Sequence, residues 1–430
     1  MKTSTEVSVR SLAVSLAVLL AFLSIPVAFA QPLPTTATPE QVGLSSQRLE
    51  RLGQTVRAQI ANQRFPGAVV LIARKGKIVY FEAFGQRDPA SDAPMSKDAI
   101  FRLYSMTKPF VTVAAMMLAE EGKLTLAAPV TTYFPQLANL QVAVAAKDAD
   151  GKTTYTLVKA DRTPTIQDLL RHTSGFVYGG FTPNERVKEA YSTLGVMGEV
   201  TPTEQIERLA QAPLAHQPGT MWEYSISTDI LGRVIEKVAG KSLGEVLADR
   251  VFAPLRLTDT AFVVPKDKAA RLAQPFPVDK ATGKAITLFD VTVAHKNEAG
   301  GHGSAGTTGD YARFLQMLLN GGQLEGVRLL SRATVAYMTS DHLDTIKPAI
   351  LLPVGYGFGL GFSVRKSNGI ATWPGSAGDY SWSGAAGTAF WVDPKEQMVV
   401  VIMTQAALDT AAQSIDRAQW RQAVYQAVAD

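Results

Sequence analysis

Leu49, Leu52, Val56 and Ile60 recur at helical spacing between Ser46 and Asn62 behind serine caps, which predicts an amphipathic opening helix. Two β-rich runs follow, Gly67–Arg74 and Lys77–Phe84, and their junction at Lys75-Gly76 predicts an antiparallel hairpin. Near the other end, Gly357–Arg365, Gly387–Val392 and Gln397–Thr404 predict three more strands, and Ala411–Ala429 a closing helix. Between these ends the apolar spacing is mostly helical, with recognisable caps, over Lys108–Glu121, Thr165–His172, Thr203–Gln211, Thr228–Ala239, Ser242–Val251 and Gly309–Asn320. The polar stretch Lys147–Lys152 predicts a hairpin turn. Strands first and last with helices between predict an α+β fold. One antiparallel sheet is built from both termini, about residues 40–104 and 350–430, and flanked by the terminal helices; a mainly helical lobe, about 105–349, is inserted. A cleft is expected between the lobes.

The first thirty residues follow another pattern. Lys2 and Arg10 precede an uncharged apolar stretch, Leu12–Phe29, that ends in Ala28-Phe29-Ala30. That order reads as a secretory signal peptide cleaved after Ala30 rather than as an uncleaved anchor, because Pro26 and the Ala-x-Ala ending mark a processing site. The expectation is an exported protein, periplasmic or secreted, with no membrane span after cleavage. Gln31–Pro39 is expected to be a flexible lead-in.

Composition narrows the chemistry. The 430 residues contain no cysteine, which removes disulfides, thiolate metal sites and a cysteine nucleophile. The 42 basic and 38 acidic residues are scattered, so nothing forms the basic footprint of a nucleic-acid binder, and a small molecule is the expected partner.

Serine chemistry remains. G-x-S-x-G occurs at Gly240–Gly244, but a nucleophile elbow needs a strand before its serine. Here a helix ends at Gly240, and Ser242 with Glu245 forms a capping box for the next one. S-x-x-K occurs twice. Ser363 lies in an alternating strand, whereas Ser105-Met106-Thr107-Lys108 opens a helix, with Pro109 in the first turn and an apolar face running on to Gly122. Positions i and i+3 share a helix face, so Lys108 reaches the Ser105 hydroxyl, and the Ser105 N–H at the helix start is free to face an oxyanion. A further proton-transfer group is needed, and tyrosine beside a lysine can serve. Tyr-Ser occurs four times, at Tyr104, Tyr191, Tyr224 and Tyr380. Tyr224 ends a short extended segment before the Thr228 helix, which suits either a cleft residue or a half-buried structural one.

The order of these motifs resembles the serine β-lactamase and penicillin-binding superfamily, in particular class C β-lactamases and, most closely, family VIII carboxylesterases. Ser105–Lys108 resembles the first motif, Tyr224-Ser225-Ile226 the tyrosine motif and Trp382-Ser383-Gly384 the third. The connecting segments 170–175, 300–319 and 384–405 also look familiar, and the resemblance covers about residues 40–428. It implies a β-lactamase-like fold and a Ser105 acyl-enzyme, with Lys108 and Tyr224 moving the proton. It also implies an oxyanion hole from the backbone N–H groups of Ser105 and Ala385, and no metal or organic cofactor.

Two departures shift the expected substrate. Trp382 stands where β-lactamases of this kind carry the lysine of Lys-Thr-Gly, replacing a cation that meets a substrate carboxylate with an apolar indole. Ile226 replaces the asparagine usual in Tyr-x-Asn. Both resemble the esterase branch, and neither forbids slow β-lactam turnover. The reading is a carboxylesterase for short or medium acyl esters, with Trp382, Ser383, Gly384, Tyr178 and Tyr380 expected at the substrate. The alternatives are a β-lactamase or D-amino-acid peptidase, and a non-catalytic penicillin-recognising protein. The five histidines show no Ser-His-Asp arrangement.

Overall fold

In the computed structural model, which describes residues 36–280, 282–348, 352–406 and 410–430, the opening helix α1 spans Ser46–Ala61. Ser45 caps it, its hydroxyl accepting from the Arg48 N–H. The hairpin is β1 (Gly67–Arg74) and β2 (Lys77–Asp88), followed by the short β3 (Ala93–Pro94). Two helices of the inserted lobe concern the site, α2 (Lys108–Glu120) and α3 (Ser227–Ala239). The C-terminal part supplies β4 (Tyr356–Phe358), β5 (Ser363–Arg365), β6 (Tyr380–Ser383), β7 (Ala389–Asp393), β8 (Met398–Thr404) and the closing helix α4 (Thr410–Tyr425).

Among the described residues the main sheet holds eight strands in the order β4-β5-β6-β7-β8-β1-β2-β3, with every pair antiparallel. The last strand of the chain therefore lies beside the first. β1 and β8 are buried along their whole length, because both faces of the sheet are covered. Val69, Leu71 and Ala73 pack into the cluster beneath the helical lobe, while Ala68, Val70 and Ile72 pack with α1 and α4. Two-sided burial is why these strands read as continuous apolar runs rather than as alternation. The α+β expectation and its placement of the terminal strands and helices agree with this architecture.

Some expectations need correction. Gly357–Arg365 is a pair of antiparallel strands, not one, because the chain reverses at Gly361 (φ 86°). A Cβ there would come within 2.4 Å of Thr112 Oγ1 on α2, so only glycine lets the turn approach that helix. The inserted lobe contains strands that helical spacing did not reveal: a hairpin of Gln141–Lys147 with Thr153–Lys159 around the predicted turn, Ala305–Thr307 paired with Ile100–Arg102, and Met221–Trp222 parallel to Lys347–Pro348. Ser242–Val251 is α-helical only over Leu243–Leu247 and continues as a π-helical turn, Ala248–Phe252. Within the expected lead-in, Thr36 bridges Ile78 of β2 and Pro39 begins a short 3-10 turn, so its end is pinned to the sheet. The expected signal peptide lies outside the described residues.

Candidate active site

The nucleophile turn is fixed from three sides. Ile100–Arg102 pairs with Ala305–Thr307, and Leu103 N donates to Ser304 O at 2.9 Å. Tyr104 then turns the chain with φ 47°, a left-handed conformation rarely adopted by a bulky residue, and its hydroxyl accepts from Phe289 N at 2.8 Å. The 3-10 turn Tyr104–Thr107 runs into α2, whose first turn accommodates Pro109. Tyr311 donates to Met106 O at 2.9 Å from beneath. Ser105 is left half-buried at the rim, and Lys108, 1% exposed, sits below it.

Lys108 Nζ donates to three oxygens: Gly301 O at 2.8 Å, Tyr178 Oη at 3.1 Å and Ser105 Oγ at 3.2 Å. It also lies 4.6 Å from the Tyr224 ring centroid. Tyr224, held between Met221–Trp222 and α3, brings its hydroxyl to 2.5 Å from Ser105 Oγ. The first and second motifs thus meet at one oxygen atom. Burial, then the charges of Asp229 and Tyr224, push the Tyr178 hydroxyl well above its ordinary pKa, so it is a neutral phenol. Its role exceeds the expected lining of an acyl pocket. Ile226, in the position where asparagine is usual, is fully buried in the core, and Tyr178 supplies a polar partner for Lys108.

The third motif lies on β6 and its end. The Trp382 ring stands 5.2 Å from that of Tyr224 and 5.3 Å from that of Phe358, an aromatic wall beside Ser105. A Cβ on Gly384 would fall 2.2 Å from Thr388 Oγ1 and 2.3 Å from Leu103 O, so glycine is what lets this strand end approach the nucleophile turn. Beyond it, Gln413 of α4 donates to Ala385 O at 2.6 Å. Among the described residues no hydrogen bond occupies the N–H of Ser105 or of Ala385.

Two expected lining residues are not brought to the site. Tyr380 shares the face of Trp382 but lies two residues further from Gly384 along β6, where it is 2% exposed and packs edge-on against Phe362 in the core. Ser383 alternates to the face opposite Trp382, where it and Ser381 line a cavity of about 180 Å³ beneath α4. Ser363 is likewise on β5, away from any lysine pair, and Ser242 is the expected helix cap, accepting from Glu245 N.

Among the described residues no histidine contacts Ser105. His172 is buried under Tyr224, their ring centroids 5.1 Å apart, and its Nδ1 pairs with Ser225 Oγ at 2.9 Å. Burial, then the charge of Lys108, holds its pKa well below the usual imidazole range. His216 pairs with Glu223, and His342 with the Tyr337 carbonyl. Asp229, which sequence reasoning passed over, is 1% exposed and lies 3.4 Å from Tyr178 Oη.

A lysine and two phenols grouped around a serine at a helix start, between an antiparallel sheet and a helical lobe, define a serine hydrolase of the S-x-x-K class. The chain belongs to the β-lactamase family, whose profile, described as Beta-lactamase, matches residues 52–425. It is 36% identical over 355 residues to Protein Rv1367c of Mycobacterium tuberculosis, covering 80% of this chain and 86% of that one. It is 30% identical over 383 residues to Esterase EstB of Burkholderia gladioli, covering 84% and 91%. The solved structure of EstCE1, titled a hydrolase with promiscuous acyltransferase activity, superposes with a TM-score of 0.72 at 30% identity, covering 88% of this chain and 99% of that one.

Proposed function

We propose that the protein is an exported carboxylesterase that hydrolyses neutral esters of short or medium acyl chains through an acyl-enzyme on Ser105. The observation that carries this reading is the 2.5 Å approach of Tyr224 Oη to Ser105 Oγ above a buried lysine. Three acceptors around Lys108 match the three N–H bonds of an ammonium. The Tyr224 hydroxyl and Ser105 Oγ are in direct hydrogen-bond contact, so a proton passes between them without an intervening group. On this reading Tyr224 takes the proton as Ser105 Oγ bonds to the ester carbonyl carbon, and the Ser105 and Ala385 N–H groups receive the negative oxygen. As the carbon–oxygen bond to the alcohol breaks, Tyr224 returns the proton to the leaving oxygen. Water then repeats the sequence on the acyl-enzyme: it gives a proton to Tyr224, which passes it to Ser105 Oγ as the acid departs.

Ester preference is supported by the relatives named esterase and by Trp382, which presents an indole where a carboxylate-binding lysine would stand. The test expresses the chain from Met1, with the exported product expected to begin at Gln31. Initial rates on p-nitrophenyl butyrate and nitrocefin are then measured beside Ser105→Ala. Ester turnover abolished by the substitution, with nitrocefin slow or untouched, is the expected result. Faster nitrocefin turnover would reverse the substrate preference, and ester activity surviving in Ser105→Ala would remove Ser105 from the mechanism.

A further inference from the structure

Lys108 is held by a closed ring of hydrogen bonds that contains a buried carboxylate no step above employs. Gly301 accepts from Lys108 Nζ through its carbonyl at 2.8 Å and donates through its N–H to Asp229 Oδ1 at 3.1 Å. Asp229 Oδ2 accepts from Tyr178 Oη at 3.4 Å, and Tyr178 Oη accepts from Lys108 Nζ at 3.1 Å. Asp229 lies in the first turn of α3, where the exposed amide dipoles favour negative charge. Gly301 has no side chain because none fits: a Cβ there would fall 2.3 Å from Asp229 Oδ2 and 2.7 Å from Tyr178 Oη.

We infer that Asp229, acting through Tyr178 and Gly301, is a positioning residue that holds Lys108 as an ammonium aimed at Ser105 and Tyr224. The inference rests on the proposed Ser105–Lys108–Tyr224 mechanism and adds to it the group that balances the buried cation. A buried lysine without a countercharge is unfavourable, and a carboxylate one phenol away supplies the compensation without competing for Ser105. Had Asp229 touched Lys108 directly, the ion pair would draw the ammonium from Ser105; the intervening hydroxyl leaves one N–H for the nucleophile. Neighbouring charges are few. Lys108 faces Tyr178, Tyr224, the buried neutral ring of His172 and the buried His302. Asp229 faces His302, whose Nδ1 is 3.8 Å away, and Arg233 on the next turn of α3, itself paired with Glu236.

The sign of the pH effect follows. Removing the carboxylate, or the Tyr178 oxygen that accepts from Lys108 and links it to that carboxylate, disfavours the ammonium, so a step that needs Lys108 charged fails at lower pH and the alkaline limb of kcat/KM moves down. The test compares wild type, Asp229→Asn, Tyr178→Phe and the double variant on p-nitrophenyl butyrate across pH 5–10, with unfolding temperatures for each. Both single variants are expected to lose about ten- to a hundredfold in kcat with KM little changed. Their alkaline limbs move to lower pH, and the double variant is no worse than the poorer single, since both break one ring. Tyr178→Phe keeps the carboxylate paired to Gly301 and carries the test should Asp229→Asn not fold. An unmoved limb, or losses that multiply in the double variant or follow unfolding temperature alone, would make Asp229 structural and overturn the inference. Failure of the mechanism beneath it is separately visible as ester turnover surviving in Ser105→Ala.

Discussion

Gly384 shows how one missing side chain sets the site. With Thr388 Oγ1 and Leu103 O occupying the position of its absent Cβ, any larger residue must push β6 away from the turn that carries Ser105. Gly384→Ala is expected to destabilise by about 1–3 kcal/mol, the usual cost of overpacking, and to reduce kcat further than Tm alone explains, because Ala385 N–H moves with the strand. Urea unfolding beside steady-state kinetics checks both, and an unaltered kcat would detach Ala385 from the oxyanion role. At this scale the sequence was informative where covalent chemistry needs fixed residue types at short spacing, as in Ser105 and Lys108. It was silent on the ring around Lys108. Tyr178 and Asp229 are 51 positions apart, and their meeting depends on a loop and a glycine turn that carry no periodicity. The one local clue was an acid in the first turn of the helix after Tyr224, which also reads as an ordinary helix-start carboxylate.

Among elements, α4 does more than cover the sheet. Its Gln413 Nε2 donates to Ala385 O at 2.6 Å, tying the backbone proposed for the oxyanion hole to a helix more than twenty residues further along. Gln413→Ala is expected to lower kcat about tenfold with KM nearly unchanged, less than the hundredfold or more lost with an oxyanion donor itself. Equal kcat in the variant would show that the strand end holds Ala385 unaided. The existence and position of this helix were legible from its apolar spacing, as were α1, β1, β2 and β8. What escaped were short strands whose pairing decides their state. Gly357–Arg365 reads as one strand because a two-strand reversal within nine residues leaves too few positions for alternation to change phase. The Gln141–Lys147 hairpin is largely exposed and so lacks the apolar pattern that marks a buried strand.

At the level of the whole molecule, β8 lies between β1 and β7, so the sheet is complete only when the end of the chain returns to its start. The last residues secure that return. Ser45 N donates to Ala427 O, Leu44 bridges Val428, and Asp430 pairs with Arg74 and Lys75 at 2.6 and 2.7 Å. Hydrogen bonds from Lys75 and then Arg74 hold the Asp430 carboxyl down at about 2, below its ordinary 3.8. A carboxyl lowered on folding stabilises above its unfolded value and loses that contribution as pH falls through the folded one. These contacts touch α1 and the β1–β2 turn, not Ser105, Lys108 or Tyr224. Removing Gln426–Asp430 is therefore expected to lower Tm at pH 7 by about 2 °C or more while leaving kcat/KM on a simple ester unchanged. Asp430→Asn, which removes the charge and one of the two oxygens that accept from Arg74 and Lys75, should show part of that deficit at pH 7 and progressively less between pH 4 and pH 2. Calorimetry of the wild type and both variants over that range measures this directly. A deficit in Asp430→Asn that persists at pH 2 would mean that shape rather than charge closes the sheet. A truncated chain with intact Tm would mean that β8 alone, through its pairing with β1 and β7, is sufficient.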